Sequence, residues 1–330
     1  MQYSYIKSGV KTLERPGILV WLKSAIFLGV AFLIYTILVN KAYFDQDFIS
    51  SFQYLNEGNL TLLCLTLALL PLNWGLESLK WKYLTRNLEE LSFMEAYKGV
   101  LTGVCFGLVT PHGIGDYPGR VLQMKSIERI KGTGAVLISR ITQFYITLVL
   151  GSISLLYIFE KLLSPQSLFF QSLLVPLFLL CNVLFLMIFI FNKKVFALCN
   201  SVPWFTRFVP YFKIVEEYDT QDFFIVILLA FLRYAVFALQ FLLLFYVFNI
   251  DEELVTMVMG VFFIFLAKSI IPTFFDLGIR ESSALYFFHH FSPGNENVLF
   301  ASLTLWCINI VLPAILGMFL IFKIKLFTSK

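Results

Sequence analysis

Thr110-Pro-His-Gly-Ile-Gly-Asp-Tyr-Pro-Gly-Arg120 sits where an apolar run ought to continue, and Ile271-Pro-Thr-Phe-Phe-Asp-Leu-Gly-Ile-Arg-Glu281 does the same in the second half of the chain. Each stretch breaks a long hydrophobic segment with a proline and then supplies an Asp and, four residues on, an Arg. Backbone of this kind survives inside a bilayer only where protein or a polar cavity covers it, because unpaired N–H and C=O groups in hydrocarbon cost several kcal/mol each. Broken helices at corresponding positions of two halves are the sequence mark of a substrate pathway through a membrane.

The surroundings of the two breaks establish that the membrane is the right solvent. Hydrophobic residues make up 59% of the 330, charged residues only 14%, and the mean hydropathy is +0.82. Such values exclude an ordinary soluble domain. The runs Trp21 to Val39, Leu60 to Leu79, Ala135 to Phe159, Leu168 to Phe191, Phe223 to Phe248 and Val298 to Phe322 are each long enough, or nearly so, to cross about 30 Å of hydrocarbon. The fold class expected is all-α and polytopic, with about six transmembrane helices and two re-entrant helical hairpins in one membrane domain.

Loop charges set the orientation. Lys and Arg gather before the first run (Lys7, Lys11, Arg15), around the first break (Lys80, Lys82, Arg86, Lys98, then Arg120, Lys125, Arg129, Lys131, Arg140), after the fourth run (Lys193, Lys194, Arg207, Lys213) and at the end (Lys323, Lys325, Lys330). The alternate loops hold almost none, so both termini are expected on the cytoplasmic side of a bacterial inner membrane. Basic sequence on both sides of Leu91 to Thr110 implies that this segment dips in and returns on the same face. Acidic Asp251, Glu252 and Glu253, with the polar stretch His289 to Asn297, imply that residues 254–290 dip in from the other. Two halves then follow, about 20–160 and 168–322, with the plan span, span, hairpin, span. Three crossings in each half invert the second relative to the first, giving an inverted 3+3 repeat.

The candidate head-group residues are Pro111, Gly115, Asp116 and Arg120 at the first break, Pro272, Asp276, Gly278, Arg280 and Glu281 at the second, and Arg233 in the fifth apolar run. Asp116 with Arg120, and Asp276 with Arg280, share a helical face if the segment is helical. Each pair can neutralise itself, or can present an oriented guanidinium to a phosphate. Glycines at the breaks can bare N–H groups to an anion or simply allow close packing. Arg233, at the centre of a span, must face protein or water, with Glu77, Asp116 or Asp276 as possible partners. Trp74, Trp81, Trp204 and Trp306 fit interfacial belts or packing. The five cysteines and three histidines show no metal-ligand spacing, and no nucleophile-elbow, phosphate-loop or zinc-protease pattern occurs. No cofactor, metal, nucleic-acid partner or enzymatic activity is expected, and no residue pattern fixes an oligomeric state.

With these residues on the page, the chain resembles the lysylphosphatidylglycerol synthase transmembrane-region family, also called the flippase-like domain family. The resemblance rests on Gly103-Val-Cys-Phe-Gly-Leu-Val-Thr-Pro-His-Gly-Ile-Gly-Asp-Tyr-Pro-Gly-Arg120, on Ala135-Val-Leu-Ile-Ser-Arg140, and on Ile271-Pro-Thr with Leu277-Gly-Ile-Arg-Glu281. Phe274-Phe275-Asp276 departs from the small, Gly-rich sequence usual at that point. The resemblance implies movement of an amphipathic lipid, phospholipid, aminoacyl-lipid or isoprenoid-linked, between leaflets. Best-known members flip an aminoacylated phospholipid made by a fused soluble synthase domain. Here the last apolar run ends shortly before residue 330, so aminoacyl transfer is not expected, and any lipid-modifying enzyme would be encoded separately. A membrane enzyme using Asp116 or Asp276 as acid or base, or an accessory subunit of a lipid pathway, is the alternative.

Overall fold

A computed structural model describes residues 56–110, 113–124, 129–162, 168–203, 209–271, 277–291 and 297–323. The expected first span Trp21 to Val39, Trp204, and the break residues Pro111, His112, Pro272 and Asp276 lie outside the described residues. Everything regular among the described residues is helical.

Helices α1 (Glu57–Ala68) and α2 (Leu70–Thr85) join at Leu69, with Pro71 in the first turn of α2, where its missing N–H costs nothing. Together they make one apolar stretch, Glu57–Thr85, long enough to cross a membrane. It overruns the expected end at Leu79 by more than a turn. Lys80, read from sequence as a loop charge, is thereby carried into the protein and is 1% exposed.

Helix α3 (Phe93–Leu108) begins at a capping box, in which Ser92 Oγ accepts from the Glu95 N–H while the Glu95 carboxylate accepts from the Ser92 N–H. After the break the short α4 (Asp116–Val121) turns back and packs along α3. The crossing needs glycine on both legs. A Cβ on Gly119 would stand 2.7 Å from Gly103 Cα, and one on Gly103 would stand 2.1 Å from Asp116 Oδ1.

Helix α5 (Arg129–Leu162) is the longest, α6 (Leu168–Ile190) is the most apolar, and α7 (Asn192–Asn200) leaves α6 at 88°. The short α8 (Val209–Phe212) and a 3₁₀ turn (Lys213–Glu217) lead into α9 (Thr220–Val247). Tyr218 closes that turn by donating its hydroxyl to Leu84 O at the end of α2. Burial pushes its phenol well above the ordinary range and keeps it a neutral donor.

The second hairpin repeats the design with longer legs, α10 (Leu254–Ile270) and α11 (Ile279–Phe291), which pack on each other. The last span is α12 (Asn297–Trp306), a π turn over Cys307–Val311, and α13 (Leu312–Lys323). Among the described residues four helices (Glu57–Thr85, Arg129–Lys161, Thr220–Val247 and Asn297–Ile321) are long and apolar enough to cross a membrane, and the bent pair Leu174–Ile190 with Asn192–Asn200 makes up to five.

Aromatic packing fills the centre. Tyr234 and Phe241 of α9 meet Phe265 of α10, and Phe245 meets Phe288 of α11 edge-on at 5.1 Å. Trp74, Trp81 and Trp306 are all at most 4% exposed, so these three serve packing rather than an interfacial belt. The outward faces, such as Leu179 and Leu184 of α6 and Phe224 and Leu228 of α9, are apolar and exposed, as a lipid-facing surface requires.

Candidate functional site

Between the first hairpin and helices α2, α5, α9, α10 and the π turn lies a cavity of about 490 Å³, within the roughly 300–1,000 Å³ of small-molecule sites. Its wall carries an unusual density of charge for such an apolar chain. Lys80, Arg120, Arg140, Arg233 and Lys268 line it, and against them stand two carboxylates, Glu77 and Asp116.

Glu77, on the inner face of α2, is the hub. Its Oε1 accepts from Arg120 Nη1 at 2.6 Å and from Ser139 Oγ at 3.0 Å. Its Oε2 lies 2.9 Å from Lys80 Nζ and 3.2 Å from Arg233 Nη1. A carboxylate 2% exposed is thus shared among three cations from three different elements. Lys80 stands one turn on from Glu77, and its Nζ also donates to Ser139 O at 3.2 Å.

Asp116 opens α4, where the positive end of a helix favours an anion. Arg120 grips it with two parallel bonds, Nε to Oδ1 at 2.7 Å and Nη2 to Oδ2 at 2.8 Å. From the other side Arg140 of α5 donates Nε and Nη2 to the same Oδ2, at 3.1 and 2.8 Å. Arg120 therefore bridges the two carboxylates. Both ends of its guanidinium are spent.

Arg233 sits midway along the 28-residue α9, where an unpaired charge in hydrocarbon would cost at least about 2.5 to 3.5 kcal/mol. Of its possible partners it takes Glu77. Its Nε donates to Asn73 Oδ1 at 3.2 Å and its guanidinium carbon lies 4.8 Å from the centre of the Trp74 ring. Asn73 hands the polarity onward. Its Nδ2 donates to Asn309 Oδ1 at 2.9 Å, Asn309 Nδ2 donates to Gln240 Oε1 at 3.0 Å, and Gln240 Nε2 donates to Thr66 O at 2.9 Å. These three amides are each fully buried. Asn309 is placed by the π turn, a helix irregularity often found at functional positions.

The residues expected at the second break are arranged differently. Lys268 and Ser269, at the end of α10, reach the cavity wall, but Gly278, Arg280 and Glu281 do not. Arg280 pairs with the adjacent Glu281 and donates Nε to Ser302 Oγ of α12 at 2.9 Å. Glu281 also accepts the Gly278 N–H at 2.8 Å. The first break's Gly115 N–H is likewise committed, to Thr110 Oγ1 at 2.7 Å. Neither glycine N–H is left to face an anion. Leu277, just after the second break, packs against the apolar cluster that holds Cys105 and Leu108 of α3 and Trp306 of α12.

Sequence reading singled out Asp116, Arg120 and Arg233, which converge here. Lys80 and Arg140, expected as loop charges, join them. Arg140 falls within the apolar run Ala135 to Phe159, and Lys80 follows Glu77 at helical spacing, so a signal was present for both; counting them as loop charges hid it. No group of three or more metal-binding side chains occurs among the described residues.

These features define a multi-pass, all-helical membrane protein with a cation-rich cavity between its spans. The chain belongs to the family described as lysylphosphatidylglycerol synthase TM region, whose model matches residues 14–317. That family is one of membrane proteins linked to lipid metabolism or flipping. No curated protein and no solved structure matches the chain.

Proposed function

We propose that the protein moves an amphipathic lipid between the leaflets of a bacterial inner membrane, holding the head group in the cation-rich cavity while the acyl or prenyl tails stay in hydrocarbon. The observation that carries this reading is the cavity itself. An apolar chain gathers Lys80, Arg120, Arg140 and Arg233 around Glu77 and Asp116 in a space left open between spans.

The two hairpins would enter from opposite faces as halves of an inverted repeat, with both termini cytoplasmic. In a cysteine-free background, Ile114→Cys and Ile271→Cys, both at exposed positions, should then react with impermeant thiol reagents from opposite sides. Labelling from one side only would defeat the repeat.

Transport is tested with purified protein in liposomes carrying tail-labelled lipids, where a membrane-impermeant quencher reports the fraction that crosses. Protein-dependent crossing is expected for at least one phosphate-bearing lipid, reduced at least ten-fold by Arg120→Gln. The protein would act without covalent chemistry.

A further inference from the structure

Among the described residues the cavity wall carries more positive charge than its carboxylates can balance, and several nitrogen donors on it are left over, while Glu77 Oε2 is held by ion pairs alone. Setting Lys268 aside, four cations (Lys80, Arg120, Arg140, Arg233) meet two carboxylates (Glu77, Asp116) among the described residues lining the cavity. The carboxylates are already claimed. Asp116 is held by Arg120 and Arg140, and Glu77 by Lys80, Arg120 and Arg233.

Three nitrogen donors, Lys268 again set aside, have no acceptor among the described residues. Arg140 spends Nε and Nη2 on Asp116 and Gly113 O, which leaves Nη1. Arg233 spends Nε on Asn73 and Nη1 on Gln143 and Glu77, which leaves Nη2. Trp74 Nε1, in a residue 4% exposed, is buried with no partner at all. A buried N–H without an acceptor is costly, so the Trp74 indole wants one, and the two guanidinium ends are placed to donate beside it. All three residues line the same cavity, and the Arg233 guanidinium lies against the Trp74 ring. Two of them keep access to it, with side chains 38% exposed for Arg140 and 17% for Arg233.

From this balance we infer that the cavity is selective for a phosphate head group carrying about two negative charges, a phosphomonoester or diphosphate, and disfavours a net-cationic head group. A dianion supplies the missing charge, and its oxygens accept from the two guanidinium ends and the indole. A phosphodiester with one charge leaves half the surplus unmatched. A head group with an added amine meets carboxylates that are already saturated, and adds its charge to the excess. The inference rests on the reading of the cavity as a head-group site, and concerns which head group it takes.

Binding, measured separately from transport, decides it. Protein in detergent micelles at pH 8 is titrated by native mass spectrometry with dioctanoyl phosphatidic acid, dioctanoyl phosphatidylglycerol and dioctanoyl lysylphosphatidylglycerol in competition, with glycerol 3-phosphate as the tail-less arm. Phosphatidic acid is expected to bind at least ten-fold more tightly than phosphatidylglycerol, with lysylphosphatidylglycerol weakest. Arg140→Gln, at the cavity mouth, and Trp74→Phe, which removes an N–H without changing charge, are each expected to narrow that preference several-fold while the protein stays folded.

Equal affinity for the three lipids, or tightest binding of the lysyl lipid, overturns the inference. Glycerol 3-phosphate binding as tightly as phosphatidic acid supports the charge class and overturns the lipid reading. Dianion preference without any lipid crossing in liposomes likewise upholds the inference and defeats transport, so the two failures are distinguishable.

Discussion

The two helical hairpins start from nearly the same sequence device and end as different objects. In the first, Arg120 faces a cavity, spans two carboxylates and has three further cations around it. In the second, Arg280 pairs with its neighbour Glu281 and donates to Ser302, and it is not among the residues of the cavity wall. Charge that balances locally can be sealed into a helix packing interface. Charge that does not balance has to be left next to space, and the space is where a ligand can go.

The largest expected effect separates the hairpins by sterics. Gly119→Leu would drive its side chain into the Gly103 backbone and should abolish recovery of monodisperse protein on size-exclusion in detergent. Gly278→Ala, at φ 97° with nothing within 4 Å of the new Cβ, should cost only about 1 to 3 kcal/mol of backbone strain and leave the protein recoverable. Comparable loss from both would mean that the legs of the first hairpin are not held by their crossing.

Next comes the hub. Glu77→Gln leaves Lys80, Arg120, Arg140 and Arg233 facing Asp116 alone among those carboxylates, and breaking a buried ion pair by removing one partner costs about 3 to 5 kcal/mol. Denaturant unfolding in detergent measures it. A loss under about 1 kcal/mol would place Glu77 in a solvated site rather than a buried one.

A smaller loss is expected along the amide chain that leads away from the cavity. Asn309→Leu removes one acceptor of Asn73 Nδ2 and one donor to Gln240 Oε1, which keep their own 3.3 Å bond to each other in this fully buried position, at about 1 kcal/mol by the same measurement.

The smallest effect is the sharpest test of the comparison. Replacing the Arg280–Glu281 pair of the second hairpin by neutral residues, Arg280→Met with Glu281→Gln, keeps an acceptor for the Gly278 N–H and should cost less stability than removing either partner alone, which costs about 3 to 5 kcal/mol. Lipid movement in liposomes should stay within two-fold of the unsubstituted protein. The matching change in the first hairpin, Asp116→Asn with Arg120→Gln, should reduce it at least ten-fold. If the second hairpin proves as sensitive as the first, the cavity is not the working site.

What could be read from residues alone is uneven in a way that has a physical cause. The apolar runs, the proline breaks and the helical spacing of Asp116 and Arg120 are local, so the helices, the first hairpin and its ion pair were legible before any coordinates. Arg233 was legible as a charge in need of a partner. Its choice of Glu77 was not, because the two lie on different helices and only packing brings them together. Lys80 was misread for a related reason. A basic residue near the end of an apolar run looks like a loop charge, and only the continuation of α2 to Thr85 shows that it is buried.

The sequence by itself determined that the chain is a helical membrane protein with two polar interruptions, because hydropathy, proline and glycine act through the backbone of their own segment. Tertiary structure alone decided that the interruptions differ, since the charge balance around an arginine is a sum over every helix that packs against it. The first arginine met more cations than anions and kept a cavity beside it. The second met its carboxylate one residue away and was buried.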